Sequence, residues 1–489
     1  MKTAAKSSRP SLVSNYLYNV GYQILTMLLP LVTAPYLSRV LGAEAIGTYS
    51  YGYAIANYFV LFGLLGINNH GCRSIAAVNG DRAKVSSVFW RIYFVQLGFS
   101  ILSLSAYIGF VLIACPGGEQ NYVFILLALY VLSNCFDVNW AFFGLEQFKI
   151  TTIRNAFIKL TAVVLVFAFV KNQSDLYVYT LIYAGSFLIS QLLLWPFLLK
   201  RVDFDRPALR DIASEITPCL KLFVPVIAVS LYTGINSVML GLFSTYFETG
   251  IFEYANRFFG IPIALLNSLG TVMMPRMVAA SADGGKKSVP YMQVSFGFAM
   301  IISGAFSFGL IAIAPTLSNT FLGPDFSGCQ SVLTVLCIAS PFIAWANIIR
   351  TQYLIPQKRD NDYIVSVFIG CIVNLVLSYL LASRYGALGV SVSYLCAEMA
   401  VCLFQTWIVR KELPLVLYLK EGAPFLFIGL IMIAVVRVAS SSLATSLLSL
   451  GIEICIGALT YLIFGLSIAI FSNNSTASYV LTLMKRIFK

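Results

Sequence analysis

The sequence predicts an all-α polytopic membrane protein: two like-oriented six-helix halves followed by a terminal helix pair. Three observations predict it. The 489 residues are 59% hydrophobic and only 11% charged, with a mean hydropathy of +0.85, whereas a soluble domain rarely exceeds about half apolar content. Apolar runs of about 20 residues, enough to cross hydrocarbon as a helix, recur along the whole chain. Residues in the two halves also match at a fixed offset.

The elements follow in order. Residues 1–14 are polar and lead into the first run without a small-residue cleavage site. They read as a cytoplasmic segment before an uncleaved first helix, not as a signal peptide. Fourteen runs then lie near 15–37, 45–68, 89–113, 122–144, 152–170, 176–199, 218–242, 249–274, 291–317, 329–351, 362–382, 386–409, 424–442 and 450–471. Turn-rich breaks separate them, among them PGGEQN from Pro116, KNQSD from Lys171 and GPDFSG from Gly323. The expected organisation is a first lobe over 15–200, a cytoplasmic linker over 201–217 and a second lobe over 218–411. A helix pair over 424–471 and a cytoplasmic tail over 472–489 complete it.

Charge sets the orientation. With the N-terminus inside, 27 of the 32 basic residues fall on the cytoplasmic side, and only Arg39, Lys171, Arg257, Arg384 and Arg437 fall elsewhere. That asymmetry is the positive-inside pattern, and an even span count returns the C-terminus to the cytoplasm. The net charge of +12 is therefore mostly topology, and no nucleic-acid partner is expected. Ten cysteines without a C-x-x-C pair argue against a disulfide scaffold and a zinc site. No phosphate-binding Walker motif is present, so the chain is not expected to hydrolyse ATP. No cofactor, metal or catalytic residue is expected.

The repeat is specific. Gly47 and Tyr51 correspond to Gly250 and Tyr254, and Arg73, Ala76, Ala77 and Lys84 to Arg276, Ala279, Ala280 and Lys287, every pair 203 residues apart. Trp140 and Trp345 follow at 205. Because each half holds an even number of spans, the halves are parallel repeats about an axis along the membrane normal. Two such lobes predict a central cavity opening alternately to each side.

Four stretches carry a family resemblance. The opening NYLYNVGYQILTMLLPLVTAPYLSRVLGAEAIGTYSYGYAIANYF from Asn15 resembles the start of Wzx-type oligosaccharide flippases, the polysaccharide transporters of the multidrug/oligosaccharidyl-lipid/polysaccharide exporter superfamily. FDVNWAFFGLEQFKITTIRNAFIKL from Phe136 resembles that family's fourth-to-fifth helix segment. FLGPDFSG from Phe321 and QYLIPQKRDNDY from Gln352 resemble its second-lobe signatures. The similarity extends from residue 15 to about 412. It implies a MATE-like fold in the bacterial cytoplasmic (inner) membrane. The implied task is movement of a polyprenyl-pyrophosphate-linked oligosaccharide from the cytoplasmic to the outer leaflet, feeding O-antigen, capsule or a related polymer. The implied partners are that substrate, membrane lipids, and the polymerase and chain-length proteins of the same pathway.

The polar residues fit a wet, cationic cavity, which a diphosphate and a hydrated sugar need in order to cross hydrocarbon. Asn15, Asn19 and Gln23 form one stripe of the first helix; they read as a cavity wall or as interhelical hydrogen bonds. Arg257 sits in an apolar run 19 residues before Arg276, which puts it about 28 Å away along a helix, near the outer boundary. It reads as an anion contact, as a snorkelling interfacial cation, or as the partner of Glu253 one turn away. Its repeat counterpart is Ala54, so the fold itself does not demand a cation there. Lys159 and Arg154, toward the cytoplasmic mouth, read as diphosphate contacts or as topology determinants, and Arg39 as an exit-site contact or an outer anchor. Glu398 reads as the deepest acid and, with Asp137, as an ion-coupling candidate; it alternatively reads as a protonated packing residue or as the neutraliser of a cavity cation. Asp137 alternatively forms a structural ion pair with Arg91 or Arg154. His70 is expected in a polar interface at the inner end of helix two.

Rival readings are weighed on the same residues. A drug exporter of this fold would suit a carboxylate in the first helix, and residues 15–37 contain none. A membrane-embedded polysaccharide-synthesis enzyme would need a large outer loop or an exposed acid or histidine cluster. A non-transporting structural protein has no use for a two-lobed repeat with intramembrane charges.

Overall fold

A computed structural model describes residues 12–114, 121–282, 288–444, 446–471 and 474–479. Among them every regular element is helical. The helices are α1 (Leu12–Leu64), α2 (Ile67–Ala77), α3 (Arg82–Ala114), α4 (Asn121–Ser133), α5 (Asn139–Gly144), α6 (Phe148–Phe169), α7 (Leu176–Leu192) and α8 (Trp195–Leu198). They continue with α9 (Leu209–Phe243), α10 (Tyr246–Ala282), α11 (Ser288–Ile302), α12 (Phe308–Thr316), α13 (Cys329–Ile349), α14 (Asp360–Val409), α15 (Leu415–Ser440) and α16 (Leu447–Phe471). The chain is an all-helical, multi-pass membrane protein: ten stretches among the described residues are long and apolar enough to cross.

Two of those stretches, Leu28–Ala77 and Asp360–Val409, are 50 residues each. At 1.5 Å per residue each is about 75 Å long, more than twice the hydrocarbon thickness of about 30 Å. Glycines break them, and Leu28–Ala77 is interrupted again at Leu65–Gly66, between α1 and α2. Gly42 and Gly386 adopt positive φ, 75° and 54°, a region that only glycine enters without a Cβ clash. The first two expected runs thus lie in one helix bent at Gly42, and the runs expected at 362–382 and 386–409 in one bent at Gly386. α9 and α10, 35 and 37 residues, carry the apolar runs expected at 218–242 and 249–274.

The chain divides into two compact units. The first comprises the chain up to Leu41 and Gly52–Ile227; the second comprises Gly42–Tyr51 and everything from Ala228. In the first unit, a core of Phe89, Trp140, Phe142, Leu194 and Leu198 is sealed from solvent. The Trp140 indole stacks on Phe89 at 5.3 Å and lies over Gly71, where a Cβ would strike the ring. In the second unit Trp345 rests on Phe296, ring centroids 4.5 Å apart. The two repeat-matched tryptophans therefore both pack on a phenylalanine, from α3 in one unit and α11 in the other.

The matched glycines have a shared physical reason too. Gly47 packs against the Tyr246 carbonyl and Gly250 against the Ala43 carbonyl, each so closely that a Cβ would land on the opposite oxygen. Residues 43 and 246 are themselves 203 apart, so this crossing, which lies within the second unit, is reciprocal. Apolar burial does not drive helices together in lipid; close backbone approach through small residues does.

Helix four of the first unit is broken. α4 stops at Ser133, Asn134–Phe136 form a tight 3-10 turn and Asp137 is extended. Backbone unwound at membrane depth must find protein partners. Gln96, fully buried, donates Nε2 to the carbonyls of both Asn134 (2.8 Å) and Asp137 (2.7 Å). Tyr93 donates to the Cys135 carbonyl and the Trp195 indole to the Phe136 carbonyl. Gln96 Oε1 in turn accepts the Trp140 indole N–H at 2.8 Å. In the second unit the equivalent stretch of α13 passes Pro341 without unwinding. A wide π-type turn over Arg350–Leu354 follows it instead.

Candidate functional site

In the first unit the helix break builds a polar node. Asp137 Oδ1 accepts the Asn139 N–H (2.9 Å) and its amide Nδ2 (2.7 Å), and the same amide reaches Gln191 at 3.0 Å. Arg154, one turn into α6, donates Nη2 to Asn139 Oδ1 (2.9 Å) and Asn155 Oδ1 (2.6 Å) and Nη1 to the Ser190 carbonyl (2.8 Å). Asp137 lies within Coulomb range of the guanidinium. Asp137 and Arg154, two of the candidates, are thus brought together through Asn139. Arg91 goes elsewhere: it approaches Glu215 at 3.8 Å.

His70 joins that second pair. Its Nε2 lies 2.7 Å from Glu215 Oε2, tying α2 to the start of α9. Gly66, with φ 76°, lets the chain pass against Cys219 and Phe223 just beside it. The hydrogen bond from His70 holds the Glu215 carboxyl below its ordinary 4.5, assisted by the charges of His70 and Arg91 and opposed by burial.

In the second unit Arg257 is part-buried on α10. Its Nε meets Glu253 Oε1 at 3.2 Å, and its guanidinium lies over the ring of the buried Tyr254, 5.1 Å from the centroid. Glu398 is 5% exposed and hydrogen-bonds with Tyr394 one turn earlier. Near it the Trp345 indole donates to Thr406 at 2.9 Å. A ladder of buried amides, Asn374 Nδ2 to Asn236 Oδ1 at 2.9 Å and Ser378 to Asn374 Oδ1 at 3.2 Å, links α14 to α9.

Lys159 and Arg39 are exposed on α6 and α1, and each makes further contacts. Asn15, Asn19 and Gln23 fall on α1, but their side chains lie outside the described residues.

Two further acids are as buried as Glu398. Glu421 and Glu453, in the helix pair that looked like an appendage, are 5% and 2% exposed. Glu421 accepts from Gln293 (2.8 Å) and from the Thr476 N–H (2.6 Å). For Glu453 the signal was available, since it lies inside the apolar run 450–471 as Glu398 lies inside 386–409; Glu421 precedes the run 424–442. Neither acid belongs to the repeat, which does not extend to α15 and α16. Gln352 was also missed. It is 1% exposed, and its amide has no hydrogen-bond partner among the described residues. Gln147, 205 residues earlier, likewise has an unmatched Oε1.

Comparison with known proteins fits this architecture. The chain is 24% identical over 408 residues to the "Putative O-antigen transporter" of Escherichia coli K12, covering 83% of this chain and 98% of the relative. It is 24% identical over 387 residues to the protein of the same name from Shigella dysenteriae, covering 78% and 96%. Among solved structures, lipid II flippase MurJ in an inward closed conformation superposes with a TM-score of 0.73 at 16% identity, covering 92% of this chain and 98% of that one. An inward-facing multidrug resistance MATE family transporter gives 0.52 at 15% identity, covering 81% and 94%. At such identities the structural likeness shows the fold, which is MATE-like. The relatives are named for transport and flipping, not for catalysis, in keeping with a chain that is not an enzyme. A family model described as "Polysaccharide biosynthesis protein" matches residues 12–281, more than half of the chain, and the protein therefore belongs to that family.

Proposed function

We propose that the protein is a flippase of the bacterial cytoplasmic membrane. It carries a polyprenyl-pyrophosphate-linked oligosaccharide repeat unit from the cytoplasmic to the outer leaflet by alternating access through a cationic cavity. The product feeds surface polysaccharide synthesis alongside a polymerase and chain-length proteins. One observation supports this most directly: within the matched family region, Arg154 and Arg257 are part-buried cations held by exchangeable partners. Arg154 is held largely by amides and a carbonyl, and Arg257 by an acid that is itself 24% exposed. A diphosphate offers a guanidinium stronger, bidentate acceptors than these, so such partners release it to substrate. Lys159, Arg39 and the Asn15, Asn19, Gln23 stripe would extend the path, and Glu398 with Asp137 would couple it to an ion gradient or the membrane potential.

Depletion of the protein should accumulate lipid-linked oligosaccharide on the cytoplasmic leaflet, and re-expression should clear it. Normal translocation with loss of drug resistance would instead support an exporter of the same fold. At equal membrane expression, Arg257→Lys should retain part of the transport that Arg257→Ala loses; full transport in the alanine variant leaves Arg257 an interfacial anchor. Transport in vesicles that survives collapse of the proton gradient, the sodium gradient and the potential would refute the coupling.

A further inference from the structure

The terminal helix pair holds a carboxylate that the transport reading does not use. Glu453, in the second turn of α16, is 2% exposed. Its Oε1 accepts two hydroxyl hydrogen bonds, from Thr316 at the end of α12 (2.7 Å) and from Ser440 at the end of α15 (2.8 Å). Its Oε2 is buried and has no hydrogen-bond partner among the described residues. Three helices thus converge on one acid and satisfy only half of it.

The charges around it are few. α16 carries no other charged residue, and neither α12 nor the wide turn Leu317–Leu322 that follows it carries any. On α15, Arg437 lies one turn before Ser440. It donates Nη2 to the Ile311 carbonyl at 2.8 Å and acts on Glu453 through space. Lys420 and Glu421 belong to the opposite end of α15, and Glu421 is engaged by Gln293 and the Thr476 N–H. A carboxylate oxygen sealed from water without a donor is costly. Arg437 supplies a field but no hydrogen bond to Oε2.

We propose that Glu453 Oε2 is the binding atom for an exchangeable small monovalent cation, a proton or a sodium ion, in a site closed by the Thr316 and Ser440 hydroxyls. In the proton case an O–H bond forms at Oε2 as one O–H bond of aqueous hydronium breaks, and water is released. In the sodium case the carboxylate takes the ion through Oε2 while Oε1 stays held by the two hydroxyls. Either event neutralises the acid facing Arg437 and pins α12, α15 and α16 together. The site stands independently of what the protein transports.

The test uses purified full-length protein in detergent with no lipid-linked oligosaccharide present. Infrared difference spectra are recorded across a pH titration in sodium-free choline buffer, and melting temperature across a sodium titration at fixed neutral pH. Binding of a proton gives a protonated-carboxyl C=O band that titrates in wild type and is lost in Glu453→Gln. Binding of sodium gives a saturable rise in melting temperature that Glu453→Gln loses. If neither response distinguishes the two proteins, Glu453 is a fixed structural acceptor and the proposal fails. Should Glu453→Gln not fold, Thr316→Val and Ser440→Ala replace it: a shifted midpoint in either supports the site, and unshifted midpoints in both overturn it.

Discussion

The two repeats share a skeleton and differ in what they do with it. Each stacks a tryptophan, Trp140 or Trp345, on a phenylalanine of a neighbouring helix. Around Trp140 the chain unwinds, and Gln96 is spent on the freed carbonyls. Around Trp345 the helix continues, and the indole needs only the Thr406 hydroxyl. The contrast extends to a matched pair of arginines 205 residues apart, Arg154 and Arg359. Arg154 is held by amides and a carbonyl beside Asp137. Arg359 is held by two acids, Asp362 at 2.7 Å and Glu412 at 2.9 Å, and Glu412 also takes the Tyr353 hydroxyl. The repeats share the apolar contacts and differ in the polar ones, which is expected if the first set the fold and the second the task.

The shared skeleton is the first thing to break. Gly47→Leu and Gly250→Leu should each abolish recovery of folded protein, read as loss of the monodisperse peak in detergent, because a side chain at either position meets a backbone oxygen that cannot retreat. Equal failure of the two variants tests the reciprocity. Gly109→Ala, with open space around its Cβ position, should fold normally.

The divergent part comes next. Gln96→Leu strands two carbonyls and an indole N–H, at about 1–3 kcal/mol for each buried orphan. Thr406→Val strands a single indole N–H. Thermal unfolding should therefore rank Gln96→Leu as the more damaged by a clear margin; equal losses would mean that water, not Gln96, satisfies the unwound turn.

The arginines give a functional contrast. At matched expression Arg154→Ala should lower translocation about ten- to a hundredfold, the equivalent of about 1.5–3 kcal/mol for a hydrogen bond to a charged group. Arg359→Ala should leave translocation near normal and cost only about 0.2–1 kcal/mol of stability, because its ion pairs are partly exposed. Reversed effects would move the substrate contact to the second repeat.

The smallest expected effect is a pH dependence confined to the first unit, since the position 203 residues after His70 is Met273. Glu215 has a carboxyl held below its ordinary 4.5 in the folded protein. Its contribution is complete above that value and lost as pH falls through the lowered one. Melting temperature measured against pH should show an acid limb that flattens in Glu215→Gln; an identical limb in both proteins would assign it to other carboxylates.

Much of the fold was legible because membrane insertion imposes a simple code. Run length, basic-residue placement and the 203-residue offset all act locally or by comparison along the chain. The unwound turn was not legible: Asn134, Cys135, Phe136 and Asp137 sit in an apolar run, and nothing nearby shows that Gln96, on another helix, will take their carbonyls. Arg257 could be assigned Glu253 from i,i+4 spacing alone. Glu453 could not be assigned Thr316, 137 residues away, since that pairing exists only after α12, α15 and α16 have met.

The Gly47–Gly250 crossing also constrains how the chain is made. Residues 42–51 leave the ribosome early, yet their packing partners begin at Tyr246 and belong with the second unit. At about 5–20 residues per second, the 203 residues between matched positions take roughly 10–40 s to synthesise. Through that interval the Gly47 surface has no native partner, so the insertion machinery or a lipid-facing holding arrangement must shelter it. A reciprocal contact between repeat-matched residues thereby builds a waiting period into biogenesis.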